Sequence, residues 1–165
     1  MSTDKYDGPQ HKPGVKFLVV FNLTENTPLA VVMSLAAPLL SGQPIVPQSF
    51  ILNVVVAFII ATILNLVIPV QKLSQAVPAA LHLDPHGLPG VLVGNVIPAL
   101  IFVIVIGVSL TAMNVIPHLP PEAPAAAAVF GEFMATALPL YVLCYIISLI
   151  MTPIALKAGM SADRH

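Results

Sequence analysis

Residues 50–70 read FILNVVVAFIIATILNLVIPV, a run without a charged side chain. At about 1.5 Å per residue a helix of this length covers roughly 30 Å, the hydrocarbon thickness of a bilayer. The run is apolar throughout and does not alternate, which excludes the strands of about ten residues that build a transmembrane barrel. Working outward, three more stretches have the same character, at 17–40, 91–113 and 130–156. Pro- and Gly-marked links separate them: SGQPIVPQ, LDPHGLPG and PHLPPEAPAAAA. The expected fold is therefore all-α, a four-helix transmembrane bundle over residues 17–156, with tails at 1–16 and 157–165.

Composition agrees. The chain is 58% hydrophobic and 8% charged, whereas soluble domains carry about a quarter charged residues. Its six basic residues are too few for a phosphate-tracking patch, so nucleic acid is not an expected partner and the lipid bilayer is. Lys5, Lys12 and Lys16 precede the first span, Lys72 follows the second, and Lys157 and Arg164 follow the fourth. Cationic residues gather on the cytoplasmic side of membrane proteins, so both termini are expected inside, in the cell (plasma) membrane. A count of three or five spans would put Lys157 and Arg164 on the other face from the N-terminal tail.

The lone cysteine, Cys144, lies in an apolar run and offers neither a disulfide nor a thiolate metal site. Trp is absent, leaving Tyr6, Tyr141, Tyr145 and the phenylalanines as interfacial anchors. A signal peptide is the rival reading of the N-terminus, with Ser34-Leu35-Ala36 as a loose cleavage site. The polar string Asn22-Leu23-Thr24-Glu25-Asn26-Thr27 makes a poor apolar region for it. That string also contains an N-x-T sequon at Asn22, which the bilayer would shield from glycosylation.

The two halves look alike. Asn22 and Asn95 come early in the first and third spans, each followed by a Ser-Leu step at Ser34 and Ser109. The second and fourth spans both end in a Pro followed by a Lys. This is a candidate tandem pseudo-repeat of a two-helix hairpin, with parallel copies because each copy has two spans. MSLAAPLLSG followed by FILNVVVAFIIATILNLVIPVQKLSQ resembles the small bacterial membrane family designated domain of unknown function 2798. The resemblance implies two copies of a two-helix membrane unit and no activity, since that family has none assigned.

Among individual side chains Glu25 stands out, because an acid at the centre of a membrane helix costs about 2.5–3.5 kcal/mol or more unless it finds a partner, a proton or water. Asn22 shares its helix face at i−3 and Asn26 lies on the flank, so the three form a candidate substrate- or ion-binding cluster with Glu25 as proton carrier. A bland alternative starts the helix at Thr27-Pro28 and leaves Glu25 near a wet helix end. Elsewhere small and polar residues recur at helical spacing: Asn53, Ala57, Ala61 and Asn65; Gly107, Thr111 and Asn114; Tyr141, Tyr145, Ser148 and Thr152. Such stripes, together with Asn95, mark helix-packing positions. Gly90 and Gly94 form a G-x-x-x-G that points to a homo-oligomer contact.

In the link LHLDPHG, His82, Asp84 and His86 are weak metal candidates that would converge if the segment were extended; Asp84-Pro85 is equally good turn chemistry. No hydrolase, phosphate-loop or zinc-protease motif occurs, so neither an enzyme nor a cofactor is expected. Glu132 reads as a partner for a helix N-terminus, and the segment around Glu122 as a solvated Pro/Ala spacer. Three functions fit these residues: a structural or partner-binding bundle, a small proton- or cation-coupled transporter working through Glu25, and a membrane enzyme with a loop metal site. The second is similar in architecture to the small multidrug-resistance exporters, without the aromatic residues that line their drug site.

The orientation is directly testable. In a Cys144→Ser background, Glu122→Cys is expected to react with a membrane-impermeant maleimide on intact cells, and Lys72→Cys only after permeabilisation. The opposite pattern would invert the topology.

Overall fold

The structure is a computed structural model that describes residues 14–68, 70–84 and 87–163. Their regular structure is all helical: α1 (Val15–Leu40), α2 (Pro47–Val67), α3 (Val70–Ala80), α4 (Leu88–Val115) with a 3-10 turn at Ile116–His118, and α5 (Ala125–Asp163). The helices α1, α2, α4 and α5 are long and apolar enough to cross a membrane. The tail residues Lys5, Tyr6, Lys12 and Arg164, and His86 of the loop, lie outside the described residues.

Local chemistry explains the boundaries. α1 runs unbroken through Pro28, so the helix does not begin at Thr27. The proline ring removes one N–H bond to the Thr24 carbonyl and stays inside a helix whose neighbours hold it. α1 ends where Gly42 turns left-handed (φ 66°), and the Gln43 amide then bonds to the Pro38 carbonyl at 2.9 Å. That is a Schellman closure, for which glycine carries no Cβ penalty. α2 begins with Pro47 in its first turn and ends before Pro69, with Ile68 extended (φ −94°, ψ 125°), the conformation a following proline imposes.

Two helical stretches depart from the sequence reading. The link after α2 contains α3, whose polar and apolar residues alternate at helical period, and α3 packs against α4. α5 starts at Ala125, inside the segment read as a spacer, because four consecutive alanines are the strongest helix formers available. It continues past Lys157 to Asp163. At about 1.5 Å per residue, such a helix is nearly twice as long as a bilayer core is thick.

α1 lies between α2 and α5, α5 also packs on α4, and α2 touches α4 more lightly. The shared core holds Leu29, Ala30 and Met33 of α1, Ile106 and Leu110 of α4, and Leu140 and Cys144 of α5. On α2 the inward residues are Asn53, Ala57 and Ala61, while Ile51, Leu52, Val55, Ile59, Ile63 and Leu66 face outward. A polar-in, apolar-out helix suits lipid and would leave an untenable patch in water.

Close approaches occur at glycines. A Cβ on Gly94 would collide with the Ser74 carbonyl oxygen of α3, and one on Gly107 would fall 2.7 Å from the Phe133 ring of α5. Gly94, read as half of a dimer motif, is thus covered by a helix of its own chain. Asn22 and Asn95 each donate to the carbonyl four residues back in their own helix, at 2.7 and 2.8 Å, but Asn22 is buried and also accepts from Asn65 of α2.

Gly94→Ala is expected to lower unfolding stability in detergent by about 1–3 kcal/mol through overpacking against α3. Gly131, also within a helix but with open space around its Cα, is the control: Gly131→Ala should be neutral or stabilising by up to about 1 kcal/mol. Equal effects at the two sites, measured by thermal unfolding, would contradict the α3–α4 contact.

Candidate functional site

The residues singled out around Glu25 separate into two groups. Asn22 and Asn26 stand one helical turn apart and face α2. The Asn26 amide donates to Asn22 Oδ1 at 3.0 Å and to Thr62 Oγ1 at 3.2 Å. From α2, the Asn65 amide donates to Asn22 Oδ1 at 3.2 Å and to Asn26 Oδ1 at 3.0 Å. The Asn22 amide donates to the Leu18 carbonyl at 2.7 Å, and the Thr62 hydroxyl to the Phe58 carbonyl at 2.8 Å. Every side-chain amide nitrogen of the three asparagines therefore donates within the protein. Asn26 is fully buried at 0% exposure, so this closure removes the cost of an unpaired polar group, about 1–3 kcal/mol.

Glu25 turns to the other side. Each residue rotates the helix by about 100°, so a carboxylate adjacent in sequence to Asn26 cannot share its direction. Glu25 is half-buried and its Oε1 accepts a 2.8 Å hydrogen bond from the Thr152 hydroxyl of α5. The expected three-residue cluster is thus two separate ties, one from α1 to α2 and one from α1 to α5. Thr62 was not picked out from the sequence; its spacing of three from Asn65 was the available signal.

The residues of the packing stripes take several partners. Asn53 and Asn114 meet, the Asn53 amide donating to Asn114 Oδ1 at 3.2 Å. Tyr141 and Tyr145 stack with ring centres 6.1 Å apart, and their hydroxyls donate to the Val96 and Leu92 carbonyls of α4 at 3.3 and 2.8 Å. They join α5 to α4. Ser148 is half-buried on the same helix.

Of the loop residues His82, Asp84 and His86, the first two are described and lie in a turn. His82 has positive φ (56°), the Leu83 amide bonds to the Pro78 carbonyl at 2.9 Å, and the Gly87 amide bonds to the Asp84 carbonyl at 3.0 Å. The segment closes α3 with a Schellman turn, so the extended geometry that would align His82 with Asp84 is not present. Among the described residues no group of three metal-competent side chains occurs.

A second polar region lies where α1 ends, α2 begins and α4 meets α5. An open cavity of about 540 Å³ there is lined by Ser34, Asn53, Asn114, His118 and Glu132 among apolar neighbours. Glu132 is not in the first turn of α5, because the helix starts earlier than the sequence suggested. It stands on the cavity wall, so the reading of it as a helix-end partner is replaced. Ser34 is fully buried, and its hydroxyl has no hydrogen-bond partner among the described residues.

No family model, curated protein or solved structure matches the chain.

A double-mutant cycle on Asn26→Ala and Asn65→Ala is expected to give a coupling of about 0.6–1.7 kcal/mol, the range for side-chain hydrogen bonds between membrane helices. A coupling of zero would mean that the two carboxamides do not meet.

Proposed function

We propose that the chain is a multi-pass integral membrane protein of the cell membrane, with both termini cytoplasmic, that serves as a structural or partner-binding bundle. One observation carries this reading: the two asparagines and the glutamate of α1 bond to neighbouring helices, Asn22 and Asn26 with Asn65 and Thr62, and Glu25 with Thr152. A proton carrier needs a carboxylate that meets water on at least one side of its cycle. The open cavity described above lies near Ser34 and Glu132, nine residues or about 13 Å of helical rise along α1 from Glu25. Glu25 is accordingly read as a hydrogen-bond acceptor that holds α1 to α5.

The four apolar helices and the outward apolar face of α2 support the membrane setting. The asymmetric placement of lysines and arginine supports the orientation. Kinship with the family of domain of unknown function 2798 rests on the sequence of the first hairpin and is offered on that ground alone.

Glu25→Gln separates this function from proton-coupled transport. The amide retains an acceptor for Thr152, so unfolding stability should stay within about 0.5 kcal/mol of the parent. Proteoliposomes of the parent and of the variant should show the same proton permeability as empty vesicles. A proton flux present in the parent and lost in Glu25→Gln would overturn the structural reading.

A further inference from the structure

The cavity between the end of α1 and the start of α5 combines three properties that the helix ties elsewhere lack. Apolar side chains, among them Pro38, Val46 and Phe50, share its wall with polar ones that include Gln43 and Ser49. It carries one carboxylate, that of half-buried Glu132, for which the structure shows no ion pair or side-chain hydrogen bond among the described residues. It also has polar capacity to spare: the Ser34 hydroxyl is buried without a partner, and the Asn53–Asn114 bond leaves the Asn114 amide and the Asn53 carbonyl oxygen uncommitted among the described residues. At the asparagine triangle the corresponding groups close on one another.

We propose that this cavity is a binding site for a small organic cation, a protonated primary or secondary amine with an apolar body. The ammonium pairs with Glu132, the side-chain oxygen of Asn53 accepts one of its remaining N–H groups, and the hydrocarbon portion lies against Pro38, Val46 and Phe50. Its volume falls within the range of about 300–1,000 Å³ usual for small-molecule sites, with the usual mix of an apolar wall and a few polar groups.

Charge selects the sign of the ligand. Lys16 opens α1, Lys72 lies in α3 and Lys157 is near the end of α5, so the described lysines are all on parts of the chain remote from this wall. Among the described residues the site therefore presents a carboxylate and no lysine or arginine, and such a carboxylate attracts a cation. The donor set argues for an organic cation over a metal ion. A single carboxylate supplies little of the anionic oxygen that calcium sites use, the other donors being neutral amides, hydroxyls and one exposed histidine, and the apolar part of the wall suits a hydrocarbon body.

The test is titration of the detergent-solubilised protein with 2-phenylethylammonium chloride, followed by saturation-transfer NMR and isothermal calorimetry, with 2-phenylethanol as the neutral isostere. The amine is expected to bind saturably and at least tenfold more tightly than the alcohol. Glu132→Gln should weaken the amine at least tenfold and leave the alcohol unchanged. Asn53→Ala should weaken the amine severalfold, and Glu122→Gln, the same charge change on the exposed loop, should have no effect. Thermal unfolding of each variant shows that it is folded. Equal affinity for amine and alcohol, unchanged amine binding in Glu132→Gln, or the absence of saturable amine binding to the folded parent would each overturn the proposal. Displacement of the amine by calcium chloride at equal concentration, with sodium chloride at matched ionic strength inert, would overturn it in favour of a metal site.

Discussion

The three carboxamides of Asn22, Asn26 and Asn65 form the interaction on which the arrangement of the other helices depends. Between apolar helices surrounded by hydrocarbon there is little hydrophobic force, so contact relies on close packing and on polar groups that have no better partner. An asparagine offers two donors and an acceptor, and three of them in a triangle can satisfy donors that lipid cannot. The triangle fixes how α1 is rotated about its own axis. With Asn22 and Asn26 toward α2, the next turns bring Ala30 and Met33 to the core, while Ala57 and Ala61 of α2 are small enough to admit them. The same rotation carries Glu25 away from α2 and toward Thr152 of α5.

The two ends of the bundle then differ in kind. Toward the start of α1, polar side chains are mutually satisfied and the helices lie against each other: Gly159 of α5 has a Phe17 ring carbon 2.8 Å from where its Cβ would be. Toward the end of α1, the helices part enough to leave the cavity with Glu132 on its wall. Asparagines serve both ends, but their consequences are set by what surrounds them. A closed set of hydrogen bonds rigidifies, whereas uncommitted donors and acceptors beside an opening are available to a ligand.

Much of this was legible in residues. The run at 50–70 announced a membrane-length helix, and the small and polar stripe on it identified the inward face at Asn53, Ala57 and Ala61. The polar weight of α1 was visible in Asn22, Glu25 and Asn26. Their division between two neighbours was not, because i−3 spacing places residues on a similar face without saying which helix occupies which side. The helical character of 70–80 was hidden by its shortness and by Pro78, and becomes intelligible only once α4 presents Gly94 to it. The role of Glu132 is not legible in sequence, because alanines following a proline-rich segment read as spacer, yet α5 begins among them, five residues before position 130.

Sequence alone therefore determined the class of structure, four apolar helices and the links between them, since hydropathy and helix-breaking residues act locally and leave their mark in the order of amino acids. Tertiary structure decided which polar residues are ties and which line a cavity. The physical reason is that a side chain's role depends on whether its hydrogen-bonding capacity is met, and the groups that meet it here come from residues distant in the chain: Asn65 for Asn26, Thr152 for Glu25, and none among the described residues for the hydroxyl of Ser34.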